Sequence, residues 1–369
     1  MVMWSIPLRD DLVGVEVYGP PQLEVLARMN SNENPFPPSD RLVADIAAAA
    51  AEATRELNRY PDRDFLSLRR DLADYLGRES GVTPDISCVW AANGSNEIMH
   101  HLFTAFGGPG RTALSFTPTY SMYSDYARDT FTGYVTEPRA DDFTLTPDRL
   151  VAAITRHHPT LTILTSPNNP TGTPLSLDAV RAACDVTDGL IIVDEAYVEF
   201  RRDGTPSALT VLANHPNLVV SRTMSKAFAL AGARLGYLAC GDARIVDALR
   251  VVRLPYHLST VTQAVARTAL AHSEDLLAQV GLLRRERDDL AMWLRERGLE
   301  VPDSDANFLL FGRFGDRHAV WQGLLERGVL IRETGPDGWL RVSIGTPQDN
   351  DLFRESLLAV LGADEGSSR

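Results

Sequence analysis

Residues 223–234 read Thr-Met-Ser-Lys-Ala-Phe-Ala-Leu-Ala-Gly-Ala-Arg and contain Lys226, the single lysine among the 36 lysines and arginines of this chain. A neutral lysine amine has a lone pair and can form a Schiff base with a carbonyl, whereas the arginine guanidinium stays protonated. Since every other Lys or Arg position holds arginine, the pattern suits chemistry at Lys226 that requires a primary amine. A strong preference for arginine also leaves an occasional lysine by accident, so the neighbouring residues decide between the two.

The size and charge of the chain narrow the class of protein. With 369 residues, the chain is too long for one ordinary hydrophobic core and suits two domains. Its net charge of −13 argues against binding to nucleic acid or to an anionic membrane surface. Small anionic substrates are still compatible with this charge, because they need only a local cluster of arginines.

Cysteine, histidine and apolar patterns predict a cytoplasmic protein without a metal site. Cys88, Cys184 and Cys240 are widely spaced and form no CxxC pair, so we interpret them as reduced thiols rather than disulfide or zinc cysteines. The N-terminus lacks the apolar core of a signal peptide, and the sequence contains neither a run of about eighteen apolar residues nor an HExxH motif. We therefore expect no membrane partner and no metal.

Four short apolar runs alternate with helix-length segments in the middle of the chain. They cover residues 112–116, 161–166, 190–193 and 218–221, and the last run ends just before the lysine segment. Strands that are apolar at every position suit a mostly parallel sheet that is buried on both faces. The predicted fold class is therefore α/β, with a mostly parallel sheet between helices and a smaller α+β domain beside it.

The chain divides into three predicted parts. Residues 1–39 form an N-terminal arm, because residues 30–38 are dense in turn-forming Asn and Pro. Residues 40–265 form the large domain that contains the sheet, and residues 266–369 form a small C-terminal domain that packs with the arm. In the small domain, predicted helices near 273–297, 317–327 and 348–361 alternate with strands near 307–311, 329–333 and 339–344.

A chemically distinctive loop follows each of the four strands. These loops deliver the Tyr120 ring, the Asn169 amide, the Asp194 carboxylate with the Tyr197 phenol, and the Lys226 amine. Because the carboxyl ends of parallel strands meet at one edge of a sheet, we expect these side chains to face a single site. Taken singly, the carboxylate and the amide also suit turns, and the Tyr120 ring also suits the core.

The order and spacing of these residues resemble the aminotransferases of the fold type I pyridoxal phosphate superfamily. Asp194 follows Asn169 by 25 residues, Lys226 follows Asp194 by 32, and Arg234 follows Lys226 by 8. The resemblance extends over essentially the whole chain. It implies a pyridoxal 5′-phosphate cofactor, whose ring acts as an electron sink.

The resemblance also implies a role for each of these side chains. Lys226 would bind the cofactor aldehyde covalently and, once displaced, would act as the catalytic residue that shuttles a proton. Asp194 would favour the protonated pyridine nitrogen. Tyr197 and Asn169 would hydrogen-bond the phenolic oxygen of the cofactor ring, and Tyr120 would stack on its face.

The cofactor phosphate needs main-chain donors at a helix start, hydroxyl groups and a fixed cation. The resemblance implies that these come from Ser95, Asn96, Thr223, Ser225 and Arg234. Ser95 and Asn96 also suit an ordinary helix start. The resemblance further places Tyr60 at the cofactor phosphate of the partner subunit, which implies a homodimer with shared active sites.

Three further motifs, at residues 30–35, 58–62 and 253–257, resemble the histidinol-phosphate branch of this family. In that branch, an amino group moves between L-histidinol phosphate and 2-oxoglutarate in histidine biosynthesis. Both substrates carry anionic groups. The resemblance implies that Arg341 binds these groups, with Arg332 assisting, although a solvated Arg332 fits equally well. The resemblance also implies that three tyrosines complete the substrate pocket: Tyr18, Tyr60 and Tyr256.

Two relatives of the same fold stay open as alternatives, an aromatic amino acid aminotransferase and a phosphothreonine decarboxylase. Residues 255–257, Pro-Tyr-His, favour transamination. Two other classes are remote. A cofactor-binding regulator would need an added DNA-binding domain, and a nucleotide-binding dehydrogenase would need the GxGxxG motif, which does not occur in this sequence.

Overall fold

The computed structural model describes residues 6–17 and 19–367, with side-chain environments described through residue 362. Its strands are β1 (Ala27–Arg28), β2 (Val89–Ala92), β3 (Thr112–Thr117), β4 (Gly133–Pro138), β5 (Leu161–Thr165), β6 (Leu190–Asp194), β7 (Leu218–Thr223), β8 (Gly236–Cys240), β9 (Phe308–Gly312), β10 (Val329–Leu330) and β11 (Trp339–Ser343). Its α-helices are α1 (Asp40–Ala53), α2 (Leu66–Ser80), α3 (Ser95–Phe106), α4 (Met122–Asp129), α5 (Pro147–His157), α6 (Leu177–Asp185), α7 (Ala243–Val252), α8 (Thr260–Ala271), α9 (Ser273–Arg295), α10 (Arg317–Glu326) and α11 (Pro347–Ser367).

Seven strands form one sheet in the order β2-β8-β7-β6-β5-β3-β4. Six of these strands run in the same direction, and β8 is antiparallel to both of its neighbours. The four predicted apolar runs are β3, β5, β6 and β7, which lie side by side in the middle of the sheet. The predicted α/β class with a mostly parallel sheet is confirmed.

Sequence reading did not identify the other three strands of this sheet. β4 lies at the sheet edge, and each of its residues is half-buried or exposed, so no continuous apolar run marks it. β2 and β8 are four and five residues long. The recognised strands β5 and β6 are also five residues long, so length alone does not explain why β2 and β8 were missed. An apolar run of this length fits both a strand and a buried helix segment.

The helices that flank the sheet mostly begin at side-chain caps. Ser39, Thr146, Ser176 and Ser259 each accept a hydrogen bond from a main-chain N–H three residues further on, at the starts of α1, α5, α6 and α8. Helix α3 differs, because it follows Gly94 with a φ of 85° and has no side-chain cap. The first N–H groups of α3 are therefore left for another acceptor.

The C-terminal elements bring the N-terminal arm next to the sheet. β9 and β11 pair antiparallel, with Arg341 opposite Leu310. β1 in the arm pairs parallel with β10, and the carbonyl of Met29 accepts a hydrogen bond from Ser343 N–H at the end of β11. Residues 30–34 follow directly, so these strand pairings determine where this part of the arm lies.

The sheet and the C-terminal elements share one continuous buried core. A single cluster of apolar side chains includes Phe116, Ile192 and Val220 from the sheet together with Phe308 of β9 and Val342 of β11. Because Ala27 and Met29 of the arm belong to the same cluster, this core fixes the position of the arm relative to the seven-stranded sheet. Within residues 6–17 and 19–367, no helix has the length and apolar character needed to cross a membrane.

Candidate active site

A cavity of about 350 Å³ lies at the carboxyl ends of the central strands. Most of the residues that the sequence predicted for the site line this cavity: Ser95, Asn96, Tyr120, Asn169, Asp194, Tyr197, Thr223, Ser225, Lys226, Arg234, Arg332 and Arg341. The register of the sheet explains why they meet, because Asp194 at the end of β6 lies between Thr165 of β5 and Ser221 of β7. The strand ends therefore align at one edge.

Lys226 lies in this cavity with its amine against the arm. Its Nζ donates a hydrogen bond to the carbonyl of Ser31 at 3.1 Å and lies 5.9 Å from the centre of the Tyr197 ring. Burial, together with the nearby positive charge of Arg341, lowers the pKa of Lys226 from its ordinary 10.5 to about 8. The neutral, nucleophilic amine is therefore far more populated near neutral pH than in a solvated lysine.

Asp194 is a buried carboxylate that keeps one oxygen free. Its Oδ2 accepts a hydrogen bond from Tyr123 Oη at 2.7 Å, and Tyr123 is itself fully buried. Among the residues that the structure describes, Oδ1 has no hydrogen-bond partner. Burial raises the pKa of Asp194 to about 6, although the Tyr123 hydrogen bond acts in the opposite direction. A protonated nitrogen placed beside this buried carboxylate would stabilise its ionised form.

A hydrogen-bonded network orients the Tyr197 phenol. Its Oη accepts from Nδ2 of Asn32 at 3.1 Å and from Nδ2 of Asn169 at 3.5 Å. Arg341 donates from Nη1 to Asn169 Oδ1 at 2.5 Å and from Nη2 to the carbonyl of Asn30 at 2.8 Å. Because Arg341 occupies the amide oxygen of Asn169, the amide nitrogen is directed toward the phenol.

One end of the cavity suits an anionic group. A Cβ on Gly94 would lie 2.7 Å from Nη2 of Arg234, so the guanidinium lies against the turn that begins α3. A Cβ on Gly236 would lie 2.2 Å from the main-chain nitrogen of Ser95, so only glycine permits this close approach of β8 to the helix start. Helix N–H groups, a guanidinium and the nearby hydroxyls of Thr223 and Ser225 together form an anion-binding arrangement.

Two predicted site residues do not line the cavity of the same chain. Tyr60 stacks on Tyr256, with ring centres 4.4 Å apart and planes 14° apart, and Tyr60 is 79% exposed. The segment that carries Tyr256 is held beside the helix start, because Asn93 Nδ2 donates to the carbonyl of His257 at 2.8 Å. The remaining predicted residue, Tyr18, lies outside the described residues.

Sequence reading missed two side chains that act on the predicted ones, Asn32 and Tyr123. Asn32 lies in the segment 30–35, which carries a resemblance but no assigned role. It also accepts a hydrogen bond from Ser343 Oγ at 2.8 Å, so its position depends on a residue about 300 positions away. Tyr123 is part of α4, three residues after Tyr120. A tyrosine in that position is ordinarily assigned to the core, and only the fold places its hydroxyl at Asp194.

The family model described as aminotransferase class I and II matches residues 25–357. The chain belongs to this aminotransferase family. A histidinol-phosphate aminotransferase from Thermobifida fusca is 60% identical over 358 residues, covering 97% of this chain and 96% of that protein. A protein from Burkholderia lata named histidinol-phosphate aminotransferase 3 is 55% identical, covering 98% of this chain and 97% of its own.

The fold of this aminotransferase is also found among solved structures. The histidinol-phosphate aminotransferase from Sinorhizobium meliloti in complex with pyridoxal-5′-phosphate matches with a TM-score of 0.85 and 24% identity, covering 98% of this chain and 99% of that one. The predicted fold type I architecture is thereby confirmed.

The aminotransferases of this family use pyridoxal 5′-phosphate, and the side chains in the cavity fit this cofactor. The anion-binding end suits its phosphate, the free Oδ1 of Asp194 suits its ring nitrogen, and the amine of Lys226 suits its aldehyde. Within the described residues, no cluster of three or more His, Cys, Asp or Glu side chains could hold a metal ion. The chain is a pyridoxal-phosphate-dependent aminotransferase.

Proposed function

We propose that this aminotransferase moves an amino group between L-histidinol phosphate and 2-oxoglutarate, forming imidazole acetol phosphate and glutamate, in histidine biosynthesis. The relatives from Thermobifida fusca and Burkholderia lata support this proposal, because their names state the activity and they match this chain over nearly its whole length. The observation that carries the proposal is that three guanidinium groups, those of Arg234, Arg332 and Arg341, line one cavity.

These three cations suit a site that binds both the phosphate of a cofactor and the phosphate or carboxylate of a substrate. Arg234 lies against the start of α3 and is assigned to the cofactor phosphate. Arg332 and Arg341 pair through main-chain hydrogen bonds in both directions, which holds their side chains near each other. We propose that they bind the phosphate of histidinol phosphate or a carboxylate of 2-oxoglutarate, since a guanidinium can hold either oxyanion in a bidentate manner.

When bound, the cofactor supplies the ring that accepts electrons from the substrate carbon. Lys226 would hold the cofactor aldehyde and then, as a free amine, move a proton to and from the substrate α carbon. Asp194 would keep the ring nitrogen protonated through its free oxygen. Tyr197 and Asn169 would hold the phenolic oxygen, and Tyr120 would cover the ring face. Four residues would join Arg234 at the phosphate: Ser95, Asn96, Thr223 and Ser225.

We also propose a cytoplasmic homodimer with the domain limits 1–39, 40–265 and 266–369. Three free thiols, Cys88, Cys184 and Cys240, support a reducing compartment. The stacked Tyr60 and Tyr256 rings support a subunit contact, because Tyr60 leaves most of a large aromatic ring exposed and a partner subunit would cover it. In the dimer, the partner subunit's Tyr60 would bind the cofactor phosphate, and Tyr256 would border the substrate.

Replacing Tyr60 by phenylalanine tests this shared arrangement. We expect the affinity for pyridoxal phosphate to fall by about 10- to 100-fold, because one hydrogen bond to a charged group is lost. The melting temperature of the cofactor-free protein should not change, since the ring is exposed and its stacking partner is kept. An equilibrium titration of cofactor measures the affinity. Tyr134→Phe, at the sheet edge, is the matched control and should bind cofactor normally, whereas normal binding by Tyr60→Phe would contradict the shared site.

The proposed substrate is tested by single half-reactions with the cofactor-loaded enzyme. We expect histidinol phosphate to react at least 10- to 100-fold faster than phenylalanine, because only the former offers a phosphate to a pair of arginines. Spectral conversion of the cofactor gives the rates, and released carbon dioxide is followed with phosphothreonine. Equal rates for histidinol phosphate and phenylalanine would overturn the substrate assignment. Carbon dioxide release at the higher rate would instead identify a decarboxylase.

A further inference from the structure

Arg139, directly after β4, is a buried cation to which the proposed mechanism assigns no role. Arg139 is only 7% exposed, and it does not line the active-site cavity. Burial lowers the pKa of Arg139 to about 10, with Tyr123 acting weakly in the opposite direction, and Arg139 forms no salt bridge with the described carboxylates. Burying an arginine in this way is unfavourable unless its donors are satisfied by other groups.

The donors of Arg139 bind the loops that follow two central strands. Its main-chain N–H donates to the carbonyl of Thr117 at 2.9 Å, and its Nε donates to the carbonyl of Phe116 at 3.3 Å, both at the end of β3. Its Nη2 donates to Oδ1 of Asn168 at 3.1 Å, in the loop after β5. Asn168 in turn donates from Nδ2 to the carbonyl of Pro118 at 3.0 Å. The two loops are thus cross-linked from both sides.

A third contact extends this arrangement toward the C-terminal strands. Nη1 of Arg139 donates to the carbonyl of Phe143 at 3.5 Å, and the same carbonyl accepts from Thr173 Oγ1 at 3.3 Å. The Phe143 ring packs edge-on against Trp339, with ring centres 5.4 Å apart. Trp339 begins β11, which carries Arg341. The guanidinium therefore lies at a junction of three segments. Two of them lead to the cavity residues Tyr120 and Asn169, and the third packs against the strand that carries Arg341.

We propose that Arg139, acting through Asn168, is a positioning residue for transamination. It sets the distance between the loop that carries Tyr120 and the loop that carries Asn169. The inference rests on the proposed function, because these two side chains are the ones assigned to the face and the phenolic oxygen of the cofactor. A rigid fork of donors can bind three loops at once, whereas an apolar side chain of similar length cannot.

Arg139→Met and Asn168→Ala test this role in the cofactor-loaded enzyme. We expect kcat/KM in the histidinol phosphate half-reaction to fall on the order of 10- to 100-fold, because small misplacements of reacting groups have effects of this size. The pH midpoint of the visible absorbance of the bound cofactor should also shift, since the groups around its phenolic oxygen have moved. Arg139→Lys should remain impaired, because an ammonium cannot reproduce the fork.

Arg69→Met provides a matched control. Arg69 is also buried, and its Nε donates to the carbonyl of Ile86 at 3.0 Å, just before β2 at the opposite edge of the sheet. This variant should lose melting temperature but keep the absorbance midpoint and kcat/KM. If Arg139→Met behaves in the same way, Arg139 is only structural and the inference is wrong.

Two further outcomes are informative. If Arg139→Met does not fold, Asn168→Ala provides the test, because it removes the acceptor of one hydrogen bond and leaves the other bonds of Arg139 in place. A normal pH midpoint of the cofactor absorbance together with a normal kcat/KM in this variant would then overturn the inference. If the wild-type protein shows no visible cofactor absorbance at all, the proposed function fails rather than the role of Arg139. The wild-type spectrum therefore separates the two failures.

Discussion

Replacing Lys226 by alanine is expected to reduce the rate of transamination by at least on the order of 10⁴-fold, because both the covalent attachment of the cofactor and the proton transfer depend on this amine. No neighbouring side chain can replace it, since the chain contains no second lysine. The half-reaction with histidinol phosphate and the visible spectrum after reconstitution measure the two losses separately. Retention of more than a few per cent of the rate would contradict the assignment.

Lys226→Arg is the sharper companion variant. It preserves a cation at the position and most of the side-chain length, but arginine has no lone pair to offer. We expect it to be as inactive as the alanine variant, whereas a purely electrostatic role of Lys226 would leave it active. As a control for general damage, Arg55→Ala changes an exposed cation in the turn after α1 and should leave both the rate and the spectrum unchanged.

Replacing Asp194 by asparagine is expected to lower the rate by roughly 10²- to 10³-fold. A carboxylate next to a protonated nitrogen raises the pKa of that nitrogen by about 1 to 3 units. The neutral amide of asparagine removes this effect while preserving the shape of the side chain. Tyr123→Phe provides the comparison, because it removes the hydrogen bond to Oδ2, together with the contact to Thr165 Oγ1, and leaves the charge of Asp194. Its loss should be about tenfold or less. Equal losses in both variants would contradict the role assigned to the charge.

Asp194→Asn lowers the reaction rate, but in the cofactor-free protein we expect it to preserve or increase the stability of the fold. The pKa of Asp194 is raised to about 6 by burial, so the folded state holds a proton that the unfolded state releases. Stability from this group is therefore present below its ordinary pKa and is lost as the pH rises toward 6. Asp194→Asn should remove this loss, making the cofactor-free variant at least as stable as wild type at pH 8. Thermal unfolding at pH 5 and pH 8 measures the difference.

Much of the fold could be predicted because its signals are local. The runs that became β3, β5, β6 and β7 consist mainly of apolar residues and have no charged face, since both faces of a central parallel strand are covered. The long helix α9 was expected at 273–297 and spans Ser273–Arg295. The edge strand β4 and the short strands β2 and β8 were not recognised, because β4 has no fully buried residue and an apolar run of four or five residues does not by itself identify a strand. The domain limits stay a prediction.

Two cysteines that are far apart in the sequence lie close together in the folded protein. Cys88 and Cys240 are 152 positions apart in the sequence, and their separation gave no reason to expect contact. The antiparallel pairing of β2 with β8 places them side by side, so that Cys240 Sγ donates to the carbonyl of Cys88 at 3.3 Å. Both are free thiols in the structure.

The sequence by itself determined the chemistry of this protein. A single primary amine, a carboxylate, a phenol and an amide at characteristic intervals are covalent properties of the chain, and their resemblance to the aminotransferase pattern implies the cofactor without any coordinates. Only the tertiary structure decided which groups support them. The hydroxyl of Tyr123, the amide of Asn32 and the guanidinium of Arg139 make hydrogen bonds that reach across strands and loops. Such bonds depend on distances of about 3 Å, and those distances exist only after the sheet has brought the strand ends together.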